Sequence, residues 1–198
     1  MLNVPNLITS LRILLVPTYL WAMYANFAYS NQLACLFFII AGSTDMLDGY
    51  IARKYGQVTN FGKIIDPVAD KIMVTAAMIA LVSLQHLPGW IVILMLFRDF
   101  SVGALRDIAA QQGTIIAAGF WGKLKTVLQM TSLGFIIFYD KFILWPLPYW
   151  GVRKLTLSAD YISIPVFEIG MILMYIALAA SIFSCVIYFK QYYKMIIK

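Results

Sequence analysis

The chain has 198 residues, 62% of them hydrophobic and 12% charged, with a mean hydropathy of +0.83 and a formal net charge of +6. Soluble domains carry roughly a quarter charged residues, so this composition excludes ordinary soluble folds and indicates a polytopic membrane protein forming one domain, residues 1–198. The positive balance suits anionic lipid or an anionic substrate, and nothing in it suggests a nucleic-acid partner.

At roughly 20 residues per crossing, the apolar stretches predict an all-α protein with six transmembrane helices, at about 11–29, 33–52, 63–84, 88–111, 119–139 and 163–189. Ahead of the first, Asn3-Val4-Pro5-Asn6 reads as a turn with Asn6 as a helix cap, and the stretch to Arg12 as a short juxtamembrane segment. The first apolar run outlasts the h-region of a signal peptide and no A-x-A site follows it, so it is read as a retained helix. Ser30-Asn31-Gln32, Lys54-Tyr55-Gly56-Gln57 and Gln85-His86-Leu87-Pro88-Gly89 separate the first four spans.

With a cytoplasmic N-terminus, twelve of the fifteen Lys and Arg residues fall on the inner side, and only Lys141, Arg153 and Lys154 on the outer. That asymmetry obeys the positive-inside rule and predicts both termini in the cytoplasm. The two cysteines, Cys35 and Cys185, lie within predicted spans and are read as free thiols. His86, the single histidine, falls in an outer loop, which argues against Ser-His or His-metal chemistry. The connection at about 140–162 contains Trp145, Tyr149 and Trp150, suited to a headgroup-level aromatic belt, and is assigned no catalysis.

Four of the nine acidic residues cluster near one membrane depth. Asp45 and Asp48 are three apart near the inner end of the second span, and Asp66 and Asp70 four apart at the inner start of the third, so each pair shares a helical face. A short connection containing Gly56 and Gly62 makes the two helices antiparallel neighbours, with the pairs facing across a cleft. Helix-end ion pairs to Arg53, Lys63 or Lys71 are the alternative for any single aspartate. Four carboxylates in an apolar setting call for a cation, and oxygen-only donors select Mg²⁺ or Mn²⁺. Two pairs can hold two ions, a pattern suited to a pyrophosphate. Arg53 could grip phosphate, with Gly49 and Gly62 clearing space for it.

The string Asp45-x2-Asp48-Gly49-x2-Ala52-Arg53-x8-Gly62-x3-Asp66-x3-Asp70 resembles, at all eight positions, the signature of the CDP-alcohol phosphatidyltransferase family. The resemblance implies six transmembrane helices, a cytoplasm-facing polar cavity, a homodimer, and transfer of a phosphatidyl group from CDP-diacylglycerol to an alcohol with release of CMP. It implies that Asp45, Asp48, Asp66 and Asp70 ligand two metal ions and that Asp70 is the general base. Asn6, Thr9, Gly49, Arg53, Thr59 and Gly62 would hold the CDP-diacylglycerol.

Arg98, Arg106, Lys123 and Lys125 lie toward the same inner side, and Arg98 near mid-span is too costly to face lipid. A phosphorylated acceptor would explain so many cations, whereas a neutral one would not. Positive-inside anchoring and local pairs of Arg98 with Asp99 or Asp107 are the alternative. Lys123 and Lys125, two apart, cannot share one helical face. The segments 3–18, 66–72 and 122–127 resemble bacterial family members whose acceptor is sn-glycerol 3-phosphate, which implies a product of phosphatidylglycerophosphate in a bacterial cytoplasmic membrane. Here Phe97-Arg98-Asp99 replaces their usual Ala-Arg-Glu. An inositol phosphate or phosphatidylglycerol acceptor is the sister reading. A small cation channel or transporter is the non-enzyme reading.

Overall fold

A computed structural model describes residues 4–25, 27, 29–55, 60–113, 119–139 and 166–196. Among them are six α-helices and no strand: α1 (Val4–Tyr24), α2 (Ser30–Tyr55), α3 (Asn60–Ser83), α4 (Gly89–Gln111), α5 (Phe120–Tyr139) and α6 (Val166–Ile196). The shortest has 20 residues, about 30 Å at 1.5 Å per residue, which matches a bilayer's hydrocarbon core. Among the described residues one stretch, Val166–Tyr192, is long and apolar enough by hydropathy to cross a membrane on its own.

The largest departure from the sequence-based reading lies at the start of the chain. Residues 4–24 form one helix where a turn and a separate segment were expected, so Asn6 is a helical residue and not a cap. Pro5 explains this: in the first turn its absent N–H removes a donor that would have no partner, and its ring presets a helical φ. The α3–α4 break falls where Gln85–Gly89 predicts it. The Gln85 N–H donates to the Val82 carbonyl at 3.0 Å and the His86 N–H to the Leu81 carbonyl at 2.9 Å. These are the paired bonds of a Schellman end, with Gln85 at φ 63° in the position that usually selects glycine. Pro88 in extended conformation then starts α4.

Helix α1 packs along both α2 and α3, while α5 packs against α6 and, less extensively, against α2. Tyr19 joins the first three helices: its hydroxyl donates to the Met73 carbonyl at 2.6 Å and its ring meets Phe38 edge-on. Between α5 and α6 the approach is close. The Ser132 hydroxyl donates to the Gly170 carbonyl at 2.7 Å, and a Cβ at Gly170 would stand 2.8 Å from the Ile136 Cγ1.

Beside an apolar core, several polar side chains are buried and large apolar ones face outward. Arg12, Lys125, Gln129, Ser132, Ser181 and Ser184 are buried, whereas Leu14, Ile93, Phe97 and Phe120 are each more than 60% exposed. Water disfavours such an arrangement, and a surrounding hydrocarbon phase favours it.

Candidate functional site

A cavity of about 350 Å³ opens where α3, α4 and α5 meet. Asp70 and Lys71 enter it from α3, Arg98, Asp99 and Arg106 from α4, and Lys125 from α5. Helical spacing explains the choice of side chains. Arg98 and Arg106 are eight apart, close to two turns and a fraction, and face the same way. Lys125 is 4% exposed and lines the cavity, whereas Lys123 lies on the exposed face of α5 and does not.

The cations are held by a network. Asp99 is its centre: its two carboxylate oxygens accept from the Lys125 Nζ at 2.8 and 2.7 Å, and one also accepts from the Arg98 Nη1 at 3.1 Å. The local Arg98–Asp99 pair, weighed in the sequence as the alternative to phosphate binding, therefore forms, within the cavity wall and shared with Lys125. The Arg98 Nη2 donates to the Ser184 hydroxyl at 2.7 Å. The guanidinium passes beside Gly122, where a Cβ would lie in ordinary contact, 3.6 Å from Nη2.

Arg106 is held from α6 as well. Its Nη2 donates to the Tyr188 hydroxyl at 3.0 Å, and its guanidinium carbon lies 5.3 Å from the Tyr188 ring centroid, within cation–π range. The same hydroxyl accepts from the Gly119 N–H at 2.7 Å. The Nε atoms of both Arg98 and Arg106 are buried without a hydrogen-bond partner among the described residues. Buried donors left this way favour an anionic ligand.

Lys71, Ser184 and Tyr188 were not among the site residues expected from the sequence. Lys71 sits against Phe100, its Nζ 5.8 Å from the ring centroid, and beside Gly103 of α4. Ser184 and Tyr188 are four apart in the largely apolar α6, and that spacing was the available signal.

The remaining sequence-derived candidates belong to α1, α2, the start of α3 and the connection between α2 and α3. Asp45, Asp48, Gly49 and Arg53 belong to α2 and Gly62 and Asp66 to α3, so the helical spacing of both aspartate pairs holds for the backbone. Their side chains, and those of Asn6 and Thr9, lie outside the described residues, as does Thr59 altogether. Among the described residues no group of three His, Cys, Asp or Glu side chains is placed to hold a metal ion. The described wall carries four cations and two carboxylates, a surplus of two positive charges, which complements a phosphate dianion.

Comparison with known proteins gives this cavity a setting. Residues 2–186 match the family model described as CDP-alcohol phosphatidyltransferase. The chain is similar to a Bacillus subtilis protein named CDP-diacylglycerol–glycerol-3-phosphate 3-phosphatidyltransferase, 40% identical over 152 residues that cover 71% of this chain and 79% of the relative. A Haemophilus influenzae protein of the same name is 44% identical over 137 residues, covering 67% and 74% respectively. One from Rickettsia felis is 38% identical over 139 residues, covering 70% and 77%. A signature complete at every position, a match over nearly the whole chain and an anion-complementary cavity beside its last aspartate agree: the chain belongs to the CDP-alcohol phosphatidyltransferase family.

Proposed function

We propose that this protein transfers the phosphatidyl group of CDP-diacylglycerol to sn-glycerol 3-phosphate, releasing CMP and forming phosphatidylglycerophosphate. One observation carries the reading: Asp70, the last carboxylate of the family signature, shares a cavity with Arg98, Arg106 and Lys125. The names of the relatives point to the same acceptor.

In this mechanism Arg98, Arg106 and Lys125 bind the acceptor phosphate. Asp99 holds Lys125 and Arg98 in place, and their charge is only partly neutralised by it. Anchored there, the acceptor turns a hydroxyl toward Asp70, which takes its proton as the oxygen attacks the β-phosphorus. The new bond is between acceptor oxygen and phosphorus, and the bond broken is that to the bridging oxygen, which leaves with CMP. Lys123, on the exposed face, contributes to the inner-side charge. Asn6, Thr9, Gly49, Arg53, Thr59 and Gly62 are assigned to the donor nucleotide and its pyrophosphate.

Asp45, Asp48, Asp66 and Asp70 would hold two Mg²⁺ or Mn²⁺ ions. An all-carboxylate donor set suits these hard cations, and Asp70 opens onto a cavity able to admit a phosphate. When bound, the pair neutralises the pyrophosphate and stabilises the charge of the departing CMP.

The protein is read as a multi-pass component of a bacterial cytoplasmic membrane, with all six helices crossing, both termini in the cytoplasm and the acyl tails of the donor left in lipid. Helix lengths, exposed apolar side chains and buried polar ones support the crossings. Assembly as a homodimer rests on the family resemblance.

Purified protein supplied with CDP-diacylglycerol, Mg²⁺ and one labelled acceptor at a time tests the reaction. CMP release is expected with sn-glycerol 3-phosphate. Release only with an inositol phosphate or phosphatidylglycerol would transfer the assignment to a sister reaction, and metal flux in liposomes without CMP would make the protein a transporter.

A further inference from the structure

The basic wall of the cavity is built on α3, α4 and α5, yet its two arginines are fixed from α6. Ser184 accepts from Arg98 at 2.7 Å, and one turn later Tyr188 accepts from Arg106 at 3.0 Å. Neither α6 residue lines the cavity itself. Tyr188 is 6% exposed and packs with Val102, Leu105 and Ala109 of α4. Its single oxygen receives two donors, the Arg106 Nη2 and the Gly119 N–H. It thereby ties the cation of α4 to the residue that precedes α5, the helix carrying Lys125.

We infer that Tyr188 is a positioning residue for the acceptor phosphate, acting through Arg106; this rests on the acceptor reading given above. An unrestrained arginine surrenders much rotamer freedom when it grips an anion. Tyr188 removes that loss beforehand by engaging Nη2 and the guanidinium face, and leaves Nε without a partner among the described residues. Preorganisation of this kind raises affinity for the acceptor without touching it. A tyrosine that only filled space between α4 and α6 would present its ring and would not need its hydroxyl at the guanidinium.

The test uses the full chain in detergent micelles with Mg²⁺, and reads the Michaelis constants for both substrates in Tyr188→Phe, Arg106→Ala and the double variant. Loss of one hydrogen bond to a charged group predicts a roughly tenfold rise in KM for sn-glycerol 3-phosphate in Tyr188→Phe. KM for CDP-diacylglycerol is expected to move less than about twofold, and kcat less than the acceptor KM. The double variant should be no worse than Arg106→Ala alone, because the tyrosine acts through that arginine. If Arg106→Ala leaves the acceptor KM unchanged, the acceptor assignment itself fails. If Arg106→Ala raises it and Tyr188→Phe does not, or if both Michaelis constants rise together in Tyr188→Phe, the positioning role alone is overturned. Should Tyr188→Phe not fold, Tyr188→Gln, which keeps an acceptor oxygen, must hold the acceptor KM below that of Tyr188→Leu; equal values overturn the role.

Discussion

Lys125 on α5 and Asp99 on α4 are joined at both carboxylate oxygens, at 2.8 and 2.7 Å, with the lysine buried and the aspartate about a quarter exposed. This pair closes α5 onto α4 at the cavity wall and leaves Asp99 shared with Arg98. A buried cation without its partner is strongly destabilising, and partial exposure of Asp99 moderates the effect. Asp99→Asn is expected to lower stability by about 1–3 kcal/mol, read as a lower thermal unfolding midpoint in detergent. Asp99→Glu, which keeps the charge, should lose less than Asp99→Asn.

Spacing on α5 separates two lysines that composition alone would treat alike. Lys125→Ala should raise the KM for sn-glycerol 3-phosphate by roughly tenfold or more, as expected for a charged group bound to phosphate. Lys123→Ala, on the exposed face, should change it by less than about twofold. Steady-state CMP release at varied acceptor concentration measures both.

Asp70 is assigned both to the metal-binding set and to proton removal. Asp70→Asn keeps its size and removes its charge, and is expected to reduce kcat by about 10²–10⁴-fold, with stability changed little. Chelation of divalent ions should abolish CMP release in the unmodified protein, and Mg²⁺ or Mn²⁺ should restore it. Chelated protein that retained full activity would remove the metal assignment.

Gly170 marks the tightest crossing of α5 and α6. A methyl group there would meet Ile136 Cγ1 at 2.8 Å, Phe135 Cβ at 3.1 Å and the Ile136 backbone nitrogen at 3.2 Å. A flexible side chain could yield, but a Cβ and a backbone atom cannot, so Gly170→Ala should destabilise the protein by about 1–3 kcal/mol. Its thermal midpoint is expected to fall while kcat per folded molecule is retained. Small residues at such crossings serve close helix packing in membrane proteins.

Much of the architecture was legible along the chain. The polar cluster at 85–89 falls between α3 and α4 because Pro and polar clusters act locally, whereas Ser30-Asn31-Gln32, expected to separate the first two spans, forms the first turn of α2. The inward aim of Arg98 followed from the energy of a charge in lipid, and its side chain is 11% exposed. The opposite aims of Lys123 and Lys125 followed from helix geometry. The start of α1 was misread because Asn3 to Asn6 carries turn chemistry, while Pro5 fits a first helical turn equally well. Tyr188 and Ser184 stayed hidden for a different reason. Periodicity gives the face a residue occupies on its own helix, and Tyr188 meets Arg106 across 82 positions of sequence. Lys71 entered the sequence reading only as an alternative helix-end partner of the aspartates, since nothing local to it reports that its side chain meets Phe100 and Gly103 of α4.

The assignment of the cavity to the acceptor is tested most directly by a structure of the protein with CDP-diacylglycerol, a divalent ion and sn-glycerol 3-phosphate bound together. The acceptor phosphate is predicted within hydrogen-bonding distance, about 3 Å, of nitrogen atoms of Arg98, Arg106 and Lys125, with its attacking hydroxyl turned toward Asp70. A donor pyrophosphate on those three residues, with the acceptor bound elsewhere, would contradict the account.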